Sequence, residues 1–332
     1  MKKRILTGIT TTGTPHIGNY LGAIKPALDL AGPDNDSFFF LADSHALIKQ
    51  TDPKLIEKSV KNVALAWLSS GLNPDQSFFY RQSDIPEVYE LTWILNCSAA
   101  KGLLNRAHAY KSNTADNLKL NNDEDKGINM GLFSYPILMA ADILIFNATH
   151  VPVGPDQAQH MEMTRDIAGK FNNTYSSLLT IPEAIIQNEI SVPGIDGRKM
   201  SKSYNNIIPF LSTEKELQKS IAKIVTNSLE PGEQKDFKNC TLFQLYSFFA
   251  SSEQISAMKK AYSDGIGWGE VKKELFKIIN NEILPLREKY LELNNQPDLL
   301  NDLFSDGARK VRPQAQELVS KLREAVGISK IV

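Results

Sequence analysis

The sequence predicts an α/β fold, a doubly wound parallel sheet followed by an all-helical part, on three observations. Short apolar runs alternate with amphipathic stretches through the first half of the chain. The order strand, helix, strand there implies parallel strands joined by right-handed crossovers. After Pro209 the strand pattern stops and only helical periodicity continues. A chain of 332 residues also predicts about two domains at roughly 150 residues each, here 1–208 and 209–332.

Taken in order, Arg4 to Ile9 reads as a strand, Gly13 to Gly18 as a turn, and Asn19 onward as a helix that Pro26 should kink or shorten. Ser37 to Ala42 is a near-continuous apolar run, the pattern of a strand buried on both faces, and Ser77 to Gln82 resembles it. Between them lies the clearest helix. Asp52 is its N-cap and Pro53 its first residue; Ile56, Val60, Val63, Ala64, Trp67 and Leu68 recur at helical spacing, and Gly71 ends it. The polar, Asn- and Asp-rich stretch 112–127 is expected to be a mobile loop. Tyr135 to Phe146 reads as a buried helix, His150 to Val153 as a short strand, and Asp156 to Phe171 as another helix. Beyond Pro209, Thr213 and Glu216 form a capping-box pattern, and helical periodicity recurs in 241–262, 268–294 and 314–326. Trp67, Trp93 and Trp268 are read as core or helix-packing residues.

Composition bounds the function. Hydrophobic residues make up 42% and charged residues 23%, enough to bury a core. Lys plus Arg is 37 against 38 Asp plus Glu, so no global field draws the molecule to nucleic acid or an anionic membrane. Any nucleic-acid site must be local, and DNA and membranes are not expected as partners. Residues 206–332 hold 18 Lys and Arg against 17 Asp and Glu, with no basic patch beyond Arg309, Lys310 and Arg312. Cys97 and Cys240, far apart, exclude a disulfide framework or a cysteine-rich metal site; no protein-held metal is expected, and the reducing cytoplasm is the expected compartment. The basic N-terminus has an apolar stretch too short for a signal peptide, and Asp142 interrupts the greasiest segment well short of the ~20 apolar residues of a membrane helix.

Doubly wound sheets bind ligands at the carboxyl ends of their strands, and two segments of the sequence carry chemistry. Gly13-Thr14-Pro15-His16-Ile17-Gly18-Asn19 stands between the first strand and the first helix, where backbone N–H groups and donors from His16 and Asn19 suit a phosphate; alone, it could equally be a plain turn with an incidental histidine. Lys199-Met200-Ser201-Lys202-Ser203 places two lysines three apart in a flexible loop, suited to charge building on a leaving pyrophosphate; alone, it could be a solvated basic loop. Asp142 is a carboxylate in an apolar segment, costly to bury without a partner. It could meet a ligand donor, cap a helix or pair with a buried arginine. His160, four residues after Asp156 on one helix face, is read as structural.

The pairing of His16-Ile17-Gly18-Asn19 with Lys199-Met200-Ser201-Lys202-Ser203, about 180 residues later, resembles the paired signatures of the class I aminoacyl-tRNA synthetases. Val151-Pro152-Val153-Gly154-Pro155-Asp156-Gln157, continuing through His160 to Arg165-Asp166-Ile167-Ala168, is similar to a tryptophanyl-tRNA synthetase pattern. So are Tyr135 to Ile143, Asp43-Ser44-His45-Ala46 and Asp306 to Lys310. The resemblance spans nearly the whole chain. It implies a Rossmann-like catalytic domain and a helical anticodon-binding domain in a homodimer. The implied reaction activates L-tryptophan with ATP and Mg²⁺, then transfers it to tRNA(Trp).

By position, the resemblance implies that His16, Gly18 and Asn19 hold ATP together with Thr10, Thr12, Gly154, Asp156, Met200 and Ser201. Lys199 and Lys202 would bind the triphosphate and, with His16 and Asn19, act in catalysis. Tyr135, Met139 and Gln157 would lie near the substrate ammonium, Asp142 would accept the indole N–H, and Leu6, His45, Val151 and Val153 would wall the pocket. Thr10-Thr11-Thr12 and Tyr204 depart from the commonest bacterial pattern, and Lys111 is the only guess for a mobile-loop lysine reaching ATP. Met139, where the tyrosyl relatives carry glutamine, argues against that neighbouring family. A non-translational nucleotidyltransferase and a silent RNA-binding paralogue are disfavoured by both retained loop lysines.

Overall fold

The computed structural model describes residues 2–186, 190–296 and 298–329. Its centre is a five-stranded parallel sheet of β1 (Lys3–Thr10), β2 (Asn35–Ala42), β3 (Phe78–Arg81), β4 (His150–Val153) and β5 (Glu183–Ile186), in the order β3-β2-β1-β4-β5. β1 and β2 pair from Lys3 with Asn35 to Thr10 with Ala42. Side chains alternate across the sheet as a period of two requires. Leu6, Phe38, Phe40 and Tyr80 enter one apolar cluster, and Ile9, Phe39, Leu41 and Phe79 enter the other. β5 escaped the sequence reading because it is a short edge strand whose four side chains are all partly or fully exposed.

The first helix is irregular. α1 (Ile17–Asn19) runs into a π-turn over Tyr20–Ile24 and then α2 (Lys25–Leu30), in which Pro26 sits in the first turn. Pro26 has no N–H to donate, so the ladder shifts register ahead of it rather than stopping. α3 (Asp43–Ala46) follows β2, and α4 (Pro53–Ser69) has the expected Asp52 cap, which accepts from the N–H of Lys54 at 2.9 Å. Then come α5 (Glu87–Ser98), α6 (Lys101–Leu104), α7 (His108–Lys119), α8 (Met130–Leu144) and α9 (Ala158–Thr174). Half of the expected loop, 112–119, is thus helix, and 120–127 is turn and irregular chain. Its polar residues bond locally: Asn117 donates to the carbonyls of Glu124 and Lys126, Tyr110 stacks edge-on against Phe133 at 5.0 Å, and Thr114 is buried.

After Pro209 come α10 (Glu214–Ala222), α11 (Thr241–Ser247), α12 (Ser252–Ser263), α13 (Trp268–Asn294) and α14 (Leu299–Val326). The Thr213–Glu216 capping box forms. The single periodic stretch 241–262 is two helices, because Ser251 opens a second capping box with Gln254. α14 begins well before residue 314 and passes through Pro313. It also returns to the sheet: Ala308, Val311, Ala315 and Leu318 share an apolar cluster with Phe38 and Tyr80, while Leu300 and Phe304 join the opposite one. The core therefore runs across the expected 208/209 division, and α14 covers the β3 edge that would otherwise offer unpaired backbone groups.

Lys310 and Arg312 belong to this docking, whereas Arg309 pairs within α14. Arg309 pairs with Asp306 at 2.8 Å, Lys310 donates to the carbonyl of Pro74 at 3.2 Å, and Arg312 forks onto Glu87 at 2.8 Å. Of the three tryptophans, Trp67 is buried in the core, and Trp268 donates its indole N–H to Asn227 at 3.2 Å. Trp93, expected in packing, is instead 70% exposed on α5. Among the described residues no helix is long and apolar enough to cross a membrane.

Candidate active site

From β1 the chain moves outward to β2 and β3, then returns to the other side of β1 as β4, so the strand order reverses between β1 and β4. Ligand crevices open at such a reversal, beyond the carboxyl ends of the strands. A cavity of about 680 Å³ lies there. Leu6 and Thr10 of β1, Val151 and Val153 of β4, and Gly18 and Asn19 of α1 line it. So do His45, Tyr135, Met139 and Asp142 from the α3 and α8 side, and Gly154, Asp156, Gln157 and Lys199. A second cavity of about 290 Å³ shares Gly18, Asn19 and Lys199 with the first and adds Thr12, His16, Met200, Ser201 and Lys202. Every site residue expected from the sequence lines one of these two connected spaces. Lys111, on α7, lines neither.

Asp142, which lines the larger cavity together with apolar Leu6, Met139, Val151 and Val153, is 3% exposed. Its carboxylate is held from two sides. Gln82, fully buried in the turn after β3, donates its amide N–H to Oδ1 at 2.8 Å and Oδ2 at 3.0 Å. His45 meets Oδ2 through Nε2 at 3.0 Å. The Gln82 carbonyl in turn accepts from the N–H of Ser44 at 3.2 Å, which fixes the orientation of the amide. Burial still raises the Asp142 pKa, against the lowering by its partners. Gln82 is the functional candidate that sequence reasoning missed, because nothing local in Arg81-Gln82-Ser83 signals a contact 60 residues away. His160, read as structural, also faces this cavity: its Nε2 meets the Tyr135 hydroxyl at 2.7 Å.

The smaller cavity is built on His16. It caps α1, accepting from the Asn19 N–H through Nδ1 at 3.3 Å, while Asn19 Oδ1 accepts from the His16 N–H at 3.0 Å. Burial first, and the Lys202 charge second, lower its pKa to about 4. The ring is neutral at pH 7, and because Nδ1 accepts, the proton sits on Nε2, leaving that nitrogen a donor. A Cβ on Gly18 would come within 3.0 Å of the ring, so any larger residue there would make the imidazole shift by a few tenths of an ångström.

The lysine loop closes on the same turn. Lys202 Nζ donates to the carbonyl of Thr12, and packing against the turn lowers its pKa by desolvation. Met200 is buried, and its N–H donates to Val192 at 2.8 Å. Asn206, 1% exposed, staples the loop. Its amide N–H groups reach Asp196 at 2.7 Å and the Lys199 carbonyl at 3.1 Å, and its Oδ1 accepts from the Ser201 N–H at 2.8 Å. Tyr204 lies under the Arg198 guanidinium at 4.5 Å.

The model of the class I tRNA synthetases (W and Y) matches residues 1–283. The chain is 52% identical to the tryptophan–tRNA ligase of Neisseria meningitidis over 330 residues, 98% of both chains. With that of Pseudomonas aeruginosa it shares 52% over 334 residues, 99% of this chain and 74% of that protein. The crystal structure of Campylobacter jejuni tryptophanyl-tRNA synthetase complexed with ADP and tryptophan superposes with a TM-score of 0.89 at 42% identity, over 98% of this chain and 99% of that one. A cavity at the strand reversal, a donor histidine at one end and a buried carboxylate at the other accompany that likeness along the whole chain. The chain belongs to the tryptophanyl-tRNA synthetases, within class I.

Proposed function

We propose that this chain ligates tryptophan to tRNA(Trp) in two steps within the paired cavities. The reading rests on one observation above the rest: a buried, hydrogen-bonded Asp142 in a cavity that apolar Leu6, Met139, Val151 and Val153 also line. An indole needs apolar walls and one acceptor for its N–H, and this cavity offers both. Tyr135 and Gln157 take the ammonium, which leaves the tryptophan carboxylate directed toward the second cavity.

ATP binds as its Mg²⁺ complex over Thr10, Thr12, Gly18, Gly154 and Asp156. The carboxylate is already ionised at neutral pH, so no general base is needed. One carboxylate oxygen attacks the α-phosphorus in line, and the bond to the pyrophosphate oxygen breaks. Catalysis is positioning plus charge stabilisation. His16 donates from Nε2 and Asn19 from its amide, while Lys199 and Lys202 with Met200 and Ser201 bring the loop against the leaving pyrophosphate. In the second step the 2′-hydroxyl of the tRNA's terminal adenosine attacks the acyl carbon and AMP leaves.

The helical part beyond residue 209 reads the anticodon. The enzyme works in the cytoplasm as a homodimer joined through the α5 face; Trp93 and the neighbouring Tyr89, 70% and 40% exposed, support that surface as one a second copy covers. Tryptophan-dependent ATP–pyrophosphate exchange without tRNA tests the reading. Exchange with tyrosine and not tryptophan would overturn it.

A further inference from the structure

His160 is buried at 4% exposure in the first turn of α9, three residues after Gln157. Its ring stands edge-on to Tyr135, with centroids 5.1 Å apart and planes at 89°, and Nε2 lies 2.7 Å from the phenol oxygen. Among the described residues, Nδ1 is buried with no hydrogen-bond partner. A half-satisfied buried imidazole is worse for the fold than an apolar side chain of similar size. The bond that the ring does make falls on a side chain that lines the cavity.

We infer that His160 is a positioning residue for amino-acid recognition: by accepting the Tyr135 phenol proton at Nε2, it turns the phenol's lone pairs toward the substrate ammonium. A neutral imidazole has one donor and one acceptor nitrogen. When Nε2 accepts, the Tyr135 O–H is committed to the protein, and its oxygen is left as an acceptor for an ammonium N–H. With no acceptor at residue 160, the phenol proton turns into the cavity and meets a cation. Burial also lowers the His160 pKa, so the ring brings no second positive charge to the ammonium. The unpaired Nδ1 is the cost of holding the proton on that side of the ring. Thr164 anchors the turn by donating its hydroxyl to the His160 carbonyl at 2.8 Å.

This inference rests on the placement of the ammonium beside Tyr135, and ligands that share the indole test the two separately. Tryptophan and tryptamine carry the ammonium; indole-3-propionate does not. By calorimetric titration and competition, His160→Leu is expected to weaken tryptophan and tryptamine about tenfold, the loss of one charge-assisted hydrogen bond. Indole-3-propionate should be unchanged. His160→Gln, whose carbonyl oxygen reaches the same point, should restore most of the loss. In a Tyr135→Phe background, His160→Leu should have no further effect. Equal weakening of all three ligands, or no weakening, would overturn the role of His160. If Tyr135→Phe itself fails to separate tryptamine from indole-3-propionate, the ammonium placement fails instead. Should His160→Leu not fold, His160→Asn, too short to reach the phenol, carries the same comparison.

Discussion

Replacing Asp142 by alanine removes the buried carboxylate from the larger cavity, and the structure sets the size of the effect. A hydrogen bond to a charged group contributes roughly 1.5–3 kcal/mol, which is roughly 10- to 150-fold in kcat/KM for tryptophan. The fold feels two opposed changes. The Gln82 amide, fully buried and directed at both carboxylate oxygens, loses its acceptor, at a cost of about 1–3 kcal/mol. Against this, burial raises the Asp142 pKa, so the ionised carboxylate is itself a burden that the substitution relieves. His45 adds little, because its side chain keeps 17% exposure and can turn to water. The variant should therefore fold, with a stability loss of no more than about 3 kcal/mol in urea unfolding. The decisive assay compares kcat/KM for tryptophan with that for benzothienylalanine, which carries sulfur in place of the N–H. Wild type should discriminate, because the analogue offers no donor to the lone pair of the buried carboxylate that Gln82 and His45 leave open, and Asp142→Ala should lose most of that discrimination. A folded variant that keeps it would refute the assignment of the indole to Asp142.

Lys202→Ala should lower kcat for exchange by on the order of 10²–10³ while tryptophan binding barely changes; near-normal kcat with a raised tryptophan KM would show the loop to be misassigned. His16 gives a pH signature. Its folded pKa of about 4 lies below the ordinary 6.5, so the unfolded chain binds the proton more readily. The corresponding stability, roughly 3 kcal/mol, is present above pH 6.5 and lost as the pH falls to about 4. His16→Asn should flatten that part of the acid unfolding curve measured in urea, and an unchanged curve would contradict the burial of a neutral ring. Gly307→Ala should be strongly destabilising although alanine favours helices. A Cβ there would lie 1.8 Å from the carbonyl oxygen of Phe79, so α14 must move off β3, a loss on the scale of overpacking, about 1–3 kcal/mol or more. A melting temperature equal to wild type would mean that this contact is not held in solution.

By itself the sequence determined what is written locally. Asp52 and Pro53 start α4, Thr213 and Glu216 cap α10, and the apolar run at 37–42 is a strand buried on both faces. Caps and periodicities act over one to four residues, so they survive in a string of letters. The signatures around His16, Gln157 and Lys199 also marked which side chains line the site. Where local signals are weak, the reading slipped: the first half of the Asn- and Asp-rich 112–127 stretch belongs to a helix, α7, that packs Tyr110 against Phe133, and Trp93 faces outward. Only the tertiary structure decided how the site is held. Asp142 finds Gln82 and His45 across 60 and 97 residues, Lys202 reaches the Thr12 carbonyl across 190, and α14 leaves the helical part to cover β3. Such pairings depend on the sheet order and on which buried groups remain to be satisfied once the elements pack. A buried amide or carboxylate is costly alone and stable only with a partner, and the partner is chosen by three-dimensional proximity, which no spacing along the chain encodes.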